Sequence, residues 1–318
     1  MANKIDWESR IGRRLKLRDL HVYFAVVQCG SMAKAAAQLG VSQPTVSEVI
    51  ADLEHTFGVR LLDRRPHGVA PTMYGNALLK RGTAAFDELK QSARDIEYLA
   101  DPTVGELTIG CAESIAAAFL PTVIERFGQQ YPRVVVHVDD VPSPSLEVLR
   151  DRKHDLILAR IVGSPNDAED FNVEILFDDQ LVVAVDARSR WASRRKVDLA
   201  DLIDEPWVLT PPHTWGYARV MEAFKALGLD LPKVSLLTLS VHLRAHLLTG
   251  GRFITAFPKS IANWYALKVL PIDLPVRPWP VVMVSLKNRT LSPVVERFIE
   301  CTREVTKSTT GRPQVRRP

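Results

Sequence analysis

A run of hydrogen-bonding side chains opens one predicted helix of this 318-residue chain. Ser42, Gln43, Thr45 and Ser47 carry hydroxyl or amide groups, and Pro44 suits the first turn of a helix, where no backbone donor is needed. Such groups both donate and accept hydrogen bonds, as contact with base edges in the major groove of DNA requires. We therefore expect Ser42, Gln43, Pro44, Thr45 and Ser47 to contact DNA.

Two short helices joined by a turn would position these groups. Ser31 and Ser42 are suited to cap the first and second helix, and Gly40 can adopt the left-handed conformation that ends the first. Small Ala36 stands where the two backbones must approach closely. The inward faces are apolar and comprise Ala35, Leu39, Val41, Val46 and Val49. This spacing predicts a helix-turn-helix rather than an ordinary pair of core helices, whose second member would not begin with polar residues.

Basic residues around this motif favour contacts with phosphates. The stretch from Val59 to Thr72 is predicted to form two short extended pieces about a Pro/Gly turn, which would make a wing. Arg64 and Arg65 on the wing and Lys34 on the first helix would lie beside the DNA backbone, where cations supply affinity rather than sequence information. We assign residues 15–75 to this DNA-binding domain and residues 1–14 to a flexible basic arm.

Residues 76–101 are predicted to form a linker helix with one apolar stripe. The stripe repeats at spacings of three and four residues and consists of Leu79, Gly82, Phe86, Leu89, Ala93, Ile96 and Ala100. Because an apolar stripe on a free helix would face water, we expect it to pack against the same helix of a second subunit. Gly82 weakens this seam, and about three heptads are short for a coiled coil, so the N-terminal domain is expected to share the stripe.

Strands and helices alternate from Glu106 onward, which predicts an α/β domain at residues 102–305 with a mainly parallel sheet. A βαβαβ run is followed by a second series that starts at Leu181. We therefore expect two lobes, lobe I at about 102–176 and 280–305 and lobe II at about 177–279. The polar, basic tail at 306–318 is predicted to be disordered.

Composition narrows the functional classes. A hydrophobic fraction of 46% with 25% charged residues is typical of a soluble globular protein, and no segment approaches the roughly 20 apolar residues of a membrane span. The first residues lack the apolar stretch of a signal peptide, so a cytoplasmic location is expected. Cys29, Cys111 and Cys301 are too far apart for a metal knuckle. Since the sequence also lacks the common catalytic and cofactor motifs, we expect no catalytic residues, no cofactor and no metal.

Residues 31–75 resemble the winged helix-turn-helix of LysR-type transcriptional regulators. The family pattern is matched by Ser42-Gln43-Pro44-Thr45-Val46-Ser47, Leu53-Glu54, Gly58, Leu61-Leu62-Asp63-Arg64 and Pro71-Thr72-Met73-Tyr74-Gly75. Landmarks of the family's effector-binding domain are Phe119-Leu120-Pro121, Glu205-Pro206-Trp207 and Gly251 through Pro258. The resemblance implies an N-terminal all-α winged helix-turn-helix with a linker helix, and a C-terminal α/β two-lobed domain similar to periplasmic solute-binding proteins. It further implies a homotetramer that binds double-stranded promoter DNA, with RNA polymerase as a candidate partner, and a small-molecule effector between the lobes.

Four departures from the family pattern accompany this resemblance, and the first would weaken contact with phosphate. His67 stands where the family often has a second wing arginine, and Leu62 replaces the usual phenylalanine. Lys153-His154 precedes a strand aspartate where glycine is usual. The bulky stretch from Gly251 to Pro258 argues against transferring any known ligand.

The candidate effector-binding residues follow strand ends in the two lobes. In open α/β sheets, ligands bind beyond the carboxyl ends of strands and against helix N-termini, where free N–H groups favour an anion. The residues that meet this description are Ser114, Ile115, Ser143, Ser145, Thr210, Ser240, Phe257 and Pro258, with Arg160 as a partner for a carboxylate. Each serine has an equal alternative as a helix N-cap, and Arg160 has alternatives as a surface residue or an inter-lobe salt bridge.

These residues favour an anionic effector, in the simplest case a carboxylate, held by uncapped N–H groups that converge from facing helices. The alternative function is a ligand-independent DNA-binding regulator that uses the two-lobed domain only for oligomerisation. A thermal shift induced by a metabolite, or its absence, would separate the two.

Overall fold

The structure is a computed structural model that describes residues 14–65, 68–142, 145–161 and 169–310, without the side chains of 309 and 310. The chain divides into two compact units, Met1–Lys90 and Gln91–Pro318. The predicted arm at 1–14 lies outside the described residues except for Arg14, and His67 also lies outside them. No helix within the described ranges is long and apolar enough to cross a membrane.

The described part of the first unit contains three helices, a hairpin and most of a long fourth helix. The helices are α1 (Leu17–Cys29), α2 (Met32–Leu39), α3 (Gln43–Phe57) and α4 (Met73–Ala100), and the strands are β1 (Leu62–Arg65) and β2 (Gly68–Pro71). β1 and β2 pair antiparallel, from Leu62 opposite Pro71 to Arg65 opposite Gly68. The helix-turn-helix prediction is confirmed, since the hydroxyls of Ser31 and Ser42 accept hydrogen bonds from the N–H groups of Lys34 and Thr45.

The core of the first unit lies where α1, α2 and α3 meet. Its fully buried side chains include Tyr23, Val26, Ala35 and Val46. Ala36 is buried at the close approach of the helices, as its small size predicts. The Glu54 carboxylate accepts hydrogen bonds from the N–H groups of Leu61 at 2.7 Å and Leu62 at 3.1 Å, which fixes the start of β1 against α3.

The apolar stripe of α4 lies in two different environments. The rings of Phe86 and Phe24 are 5.4 Å apart, and a Cβ at Gly82 would lie 2.5 Å from the tip of Phe24. Gly82 therefore permits close packing of α4 on α1, whereas the sequence suggested that it weakens a seam. Leu79 also packs on the core of the first unit. Further along, Leu89 is 48% exposed and Ile96 is 68% exposed, and Ala93 is exposed between them.

The larger sheet of the second unit forms lobe I. Its strands are β3 (Val104–Cys111), β4 (Arg133–Asp140), β5 (Leu156–Arg160), β6 (Phe171–Asp179) and β12 (Trp279–Leu286), in the order β4-β3-β5-β12-β6. β3 pairs parallel with β4 and β5, and β12 pairs antiparallel with β5 and β6. On one face pack α6 (Leu120–Gln130) and α10 (Pro293–Thr310), where the rings of Phe127 and Phe298 are 5.2 Å apart. The short helix α5 (Glu113–Ala116) follows β3.

Lobe II contains two smaller sheets and three helices among the described residues. β7 (Leu181–Val185) pairs antiparallel with β10 (Thr255–Pro258) and β11 (Lys268–Val269), and β8 (Trp207–Leu209) pairs parallel with β9 (Val234–Leu237). The helices are α7 (Trp215–Ala226), α8 (Val241–Leu248) and α9 (Lys259–Trp264). Trp207 is fully buried in this lobe, and its indole N–H donates to the Leu202 carbonyl at 2.7 Å.

Two predicted boundaries are wrong. β6 remains in the first sheet as far as Asp179, so lobe I extends past the predicted end at residue 176. The sequence analysis missed β6 although residues Phe171 to Ile175 alternate apolar and polar side chains, and an irregularity opposite Val281 and Val282 breaks this alternation only beyond Ile175. α10 continues to Thr310, because Val305 packs in the core of lobe I and Thr306 is also buried. The predicted disorder therefore fails for 306–310, and residues 311–318 lie outside the described ranges.

Candidate nucleic-acid interface and ligand cleft

The N-terminal end of α3 carries the side chains predicted to read bases. Ser42 caps the helix, and its hydroxyl lies 2.8 Å from the hydroxyl of Thr45. Ser47 donates to the Met32 sulfur at 3.4 Å, which directs its hydroxyl toward α2. The exposed residues at this end are Ser42, Gln43 and Pro44. Among the predicted base-contacting residues, Gln43 combines full amide hydrogen-bonding capacity with exposure.

The hairpin and α2 carry the predicted phosphate-contacting residues. Lys34, Arg64 and Arg65 are all exposed. The Val69 N–H donates to the Gly30 carbonyl at 2.9 Å, which ties the hairpin to the turn between α1 and α2. Gly68 has φ +140°, and a Cβ there would collide with the same Gly30 carbonyl oxygen. Glycine is therefore required for this approach, and the wing has a fixed position within the first unit.

A buried ion pair lies where the chain passes from lobe I to lobe II. Arg160, at the end of β5, donates to the Asp179 carboxylate at 2.9 Å, and both side chains are almost fully buried. Asp179 also accepts hydrogen bonds from the N–H and hydroxyl of Ser260 on α9, at 3.1 and 2.5 Å. Burial lowers the pKa of Arg160, and the negative charge of Asp179 opposes that shift. Arg160 is therefore not a surface residue, and its ion pair lies within the sheet of lobe I rather than between the lobes. Its Nε also lies 3.5 Å from the Ser114 hydroxyl.

The N-terminal end of α8 holds an internal carboxylate. Ser240 caps the helix, since its hydroxyl accepts from the Leu243 N–H at 3.2 Å. The N–H of Val241, the first residue of α8, donates to Glu113 Oε1 at 2.8 Å. Glu113 begins α5 in lobe I and α8 belongs to lobe II, so this hydrogen bond bridges the lobes. The expectation of an uncapped terminus here is thus wrong, because the chain supplies its own acceptor.

A second buried arginine lies on α8. Arg244 is 4% exposed, and its guanidinium stacks over the Phe257 ring at 4.3 Å. Its Nη1 donates to the Ala256 carbonyl at 3.3 Å, while its buried Nε has no hydrogen-bond partner within the described chain. Burial lowers the pKa of Arg244 to about 10, and the negative charge of Glu113 acts in the opposite direction. Sequence analysis missed both residues, although a single arginine in the otherwise mostly apolar α8 was a usable signal.

Three of the predicted effector residues are core residues. Ile115 is 1% exposed in the core of lobe I, and its N–H donates to the Ala112 carbonyl. Phe257 is fully buried and Pro258 is buried on β10. These side chains are buried in this conformation, so their direct contact with an effector stays a prediction.

The remaining predicted effector residues occupy different positions. Ser114 lies second in α5, whose N-cap is Ala112, so the N-cap alternative does not hold for Ser114. The Thr210 hydroxyl accepts from the hydroxyl of Thr214 at 2.7 Å, and Thr214 caps α7. Ser145 is exposed and makes no side-chain capping hydrogen bond, and Ser143 lies outside the described residues. Glu113 and Arg160 thus bring the surroundings of Ser114 and Ser240 together, and Thr210 follows β8, beside the Thr214 cap of α7.

The described residues contain no group of three or more histidine, cysteine, aspartate or glutamate side chains arranged to bind a metal ion. Burial raises the pKa of the Cys111 thiol to about 12, so this thiol is protonated at neutral pH. A protonated, buried thiol is a poor nucleophile.

Comparison with known protein families identifies the family to which this chain belongs. The sequence model for the LysR substrate binding domain matches residues 100–307, more than half of the chain. The model for the bacterial regulatory helix-turn-helix protein, lysR family, matches residues 17–76. The chain belongs to the LysR family of transcriptional regulators. It is therefore a DNA-binding regulator with an effector-binding domain, and the resemblance seen in residues 31–75 is confirmed.

This LysR-family chain is similar to individual regulators along most of its length. The HTH-type transcriptional regulator TdcA of Escherichia coli (strain K12) is 27% identical over 295 residues, 91% of this chain and 93% of TdcA. A full-length OxyR variant from Pseudomonas aeruginosa matches with a TM-score of 0.64 at 20% identity, covering 96% of this chain and 99% of OxyR. Full-length CbnR complexed with its target DNA gives 0.61 at 23% identity, covering 92% and 100%. The relatives are transcriptional regulators, and no enzyme family is indicated.

Proposed function

We propose that α3 reads the operator of this LysR-family regulator, with Gln43 as the main base-contacting residue. Ser42, Pro44, Thr45 and Ser47 complete the contact surface at the same helix end. The observation that carries this proposal is the exposed Gln43 amide on a helix end fixed by the Ser42 cap and by buried Val46. Glutamine donates and accepts in a bidentate geometry that matches adenine in the major groove.

The same proposal places Lys34, Arg64 and Arg65 against phosphates. This placement is supported by the exposure of all three side chains. Lys34 lies on α2, and the two arginines lie on the wing, which the hydrogen bond from the Val69 N–H to the Gly30 carbonyl holds in place.

The operator is first selected from random duplex DNA with the purified full chain, and affinity is then measured by fluorescence anisotropy at several salt concentrations. Arg64→Ala should weaken binding to operator and random DNA alike and reduce the salt slope by about one. Arg195→Ala, at an exposed lobe II position, is the control, and an Arg64→Ala variant that behaves like it contradicts the phosphate contact.

We propose that the cleft between the lobes binds a small anionic metabolite. Ser114 and Ser240 supply hydroxyls on its two sides, and Thr210 contributes from the end of β8. Support comes from the meeting of α5 and α8 at the Glu113 to Val241 hydrogen bond, and from the buried positive charge of Arg244. A thermal-shift screen of carboxylates on the full chain, followed by operator binding with each hit, tests this function. Binding that leaves operator affinity unchanged contradicts an effector role.

A ligand-independent regulator is the second candidate function. It is favoured by the Arg160, Asp179 and Ser260 network, which joins the lobes through contacts within the chain alone. In that case no metabolite would shift the thermal midpoint, and the α/β unit would serve only for oligomerisation.

The proposed assembly is a dimer through the exposed part of the α4 stripe, with dimers pairing through the α/β units into a tetramer. Leu89, Ala93 and Ile96 supply the apolar surface for the first contact. Action at a promoter would bring RNA polymerase as a further partner and would require a cytoplasmic location.

A further inference from the structure

The carboxylate of Glu113 acts on α8 as a bound anion would. The first N–H groups of any helix lack intrahelical acceptors, and the helix dipole favours negative charge at that end. On α8 the Ser240 hydroxyl serves Leu243, and Glu113 accepts from Val241 at 2.8 Å. Because Glu113 belongs to the opposite lobe, this contact holds lobe II against lobe I without any ligand.

Arg244 provides an independent sign that this location suits an anion larger than one carboxylate oxygen. Its side chain is 4% exposed, and its Nε has no acceptor within the described residues. Buried arginine donors are normally satisfied, so an unpaired one indicates a missing acceptor. The charge of Glu113 already acts favourably on the Arg244 guanidinium. The Val241 N–H and Arg244 therefore form a positive, partly dehydrated surface. Glu113 accepts a hydrogen bond from the Val241 N–H and none from the Arg244 Nε.

We propose that the N-terminal end of α8 and Arg244 form a carboxylate site whose resident occupant is Glu113, and that an anionic effector binds by displacing Glu113. This rests on the proposed effector function of the cleft. The displaced Glu113 no longer bridges the lobes, and the incoming carboxylate takes over the Val241 N–H and the free donor of Arg244. Because Glu113 competes with the effector for the same donors, it lowers the affinity of the cleft for the effector. Only ligands that make further contacts in the cleft therefore replace Glu113.

Removal of the resident carboxylate tests this directly. In DNA-free full-length Glu113→Ala, the thermal midpoint of the α/β unit should fall by about 2–4 °C, since the cap of α8 is lost. Acetate, which matches the deleted group, should restore the midpoint in a saturable manner, and sodium chloride at equal ionic strength should not. Wild type should show no saturable response to acetate over the same concentrations. A folded Glu113→Ala protein that responds to acetate as wild type does would overturn the proposal.

Three further variants define the site. Glu296→Ala removes an exposed glutamate from the first turn of α10 and should show no acetate rescue. Glu113→Ala with Arg244→Met should lose the rescue, and rescue that persists overturns the role of Arg244. Glu113→Gln keeps an acceptor for the Val241 N–H without the charge and should bind acetate more tightly than wild type in calorimetry, even if the alanine variant fails to fold. Equal affinity in the glutamine variant contradicts displacement.

The opposite ligand chemistry has a distinct outcome. Methylammonium that stabilises wild type and fails to stabilise Glu113→Ala would show that Glu113 itself binds a cationic ligand, which overturns displacement by an anion. The acetate experiment needs neither DNA nor the natural effector. A negative acetate result would therefore contradict only the displacement of Glu113. The effector function would instead be contradicted if no bound metabolite changed the operator affinity.

Discussion

Gln43 is the residue on which operator specificity should depend most. Its exposed amide at the start of α3 can pair with a base edge, whereas Ser47 already donates to Met32. Gln43→Ala should weaken operator binding by about 1–3 kcal/mol and leave random DNA nearly unaffected. Anisotropy titrations against the selected operator and a scrambled duplex measure both. Gln28→Ala, at an exposed position of α1, is the control, and equal losses on both duplexes in Gln43→Ala would contradict base contact.

Tyr23 should make the stability of the first unit sensitive to alkaline pH. Burial, followed by the charge of Glu54, raises the pKa of Tyr23 to about 12, above the ordinary value of 10.0. Between these values the unfolded chain loses the phenolic proton and the folded chain keeps it, so this stabilisation is complete below pH 10 and is lost as pH rises toward 12. The loss is about 1.4 kcal/mol per pH unit.

Urea unfolding of wild type and Tyr23→Phe at pH 9 and pH 11.5 measures the difference. Tyr23→Phe should be nearly neutral at pH 9, because the buried Tyr23 hydroxyl has no hydrogen-bond partner among the described residues, and should be the more stable protein at pH 11.5. Tyr74→Phe, at a 52% exposed position of the same unit, should show no such divergence. Parallel pH profiles for Tyr23→Phe and wild type would refute this assignment.

Residues whose roles depend on the local chain were predictable, and residues whose roles depend on the opposite lobe were not. Ser42 caps α3 and Ser240 caps α8 as local spacing indicates. Glu113 and Arg244 acquire their roles from contacts across 128 positions of sequence separation or from burial under Phe257. No periodicity reports such contacts, so the charge in the cleft could be read only from the structure.

Among the helices and strands, α4 shows what the spacing of apolar residues can and cannot predict. The three-four spacing predicted the helix and its apolar stripe, but spacing cannot say what covers a stripe. Phe86 and Gly82 pack on Phe24 of α1, and the exposed remainder begins at Leu89. β6 shows the opposite failure, since the sequence analysis missed this strand although residues Phe171 to Ile175 alternate apolar and polar side chains.

The exposed half of the α4 stripe should carry dimerisation. Leu89→Asp with Ile96→Asp places charge on that surface and should convert the dimer contact to separate subunits, with secondary structure retained. Sedimentation velocity measures the assembly. Phe86→Asp should instead unfold the first unit, since Phe86 stacks on Phe24. Asn76→Asp with Ala77→Asp adds two carboxylates at exposed positions of the same helix and should leave the assembly intact. An unchanged oligomer in the Leu89 and Ile96 double variant excludes this interface.

For the whole molecule, the proposed effector function requires an α/β unit that is stable without a ligand and rearranges when one binds. Two of the contacts that join its lobes differ in kind. The Arg160, Asp179 and Ser260 network is buried at the crossing between the sheets, whereas the Glu113 to Val241 hydrogen bond lies at the ends of two helices. A buried ion pair is costly to break, and a helix cap is replaceable by another anion. In the proposed displacement of Glu113, the crossing therefore serves as the fixed point and the cap as the exchangeable contact.

The fixed point has a testable energetic signature. Asp179→Asn removes the charge that compensates buried Arg160, so the α/β unit should lose about 3–5 kcal/mol of unfolding free energy. Arg160→Met with Asp179→Leu removes both charges and should be less destabilising than Asp179→Asn alone, because no buried charge is left unpaired. Denaturant unfolding of the full chain, followed by the fluorescence of its tryptophans, measures both. Asp186→Asn, which breaks a pair with exposed Arg188, is the matched control and should change stability by less than about 1 kcal/mol. If Asp179→Asn is no more destabilising than this control, the crossing is not the fixed point, and lobe movement must be organised elsewhere in the unit.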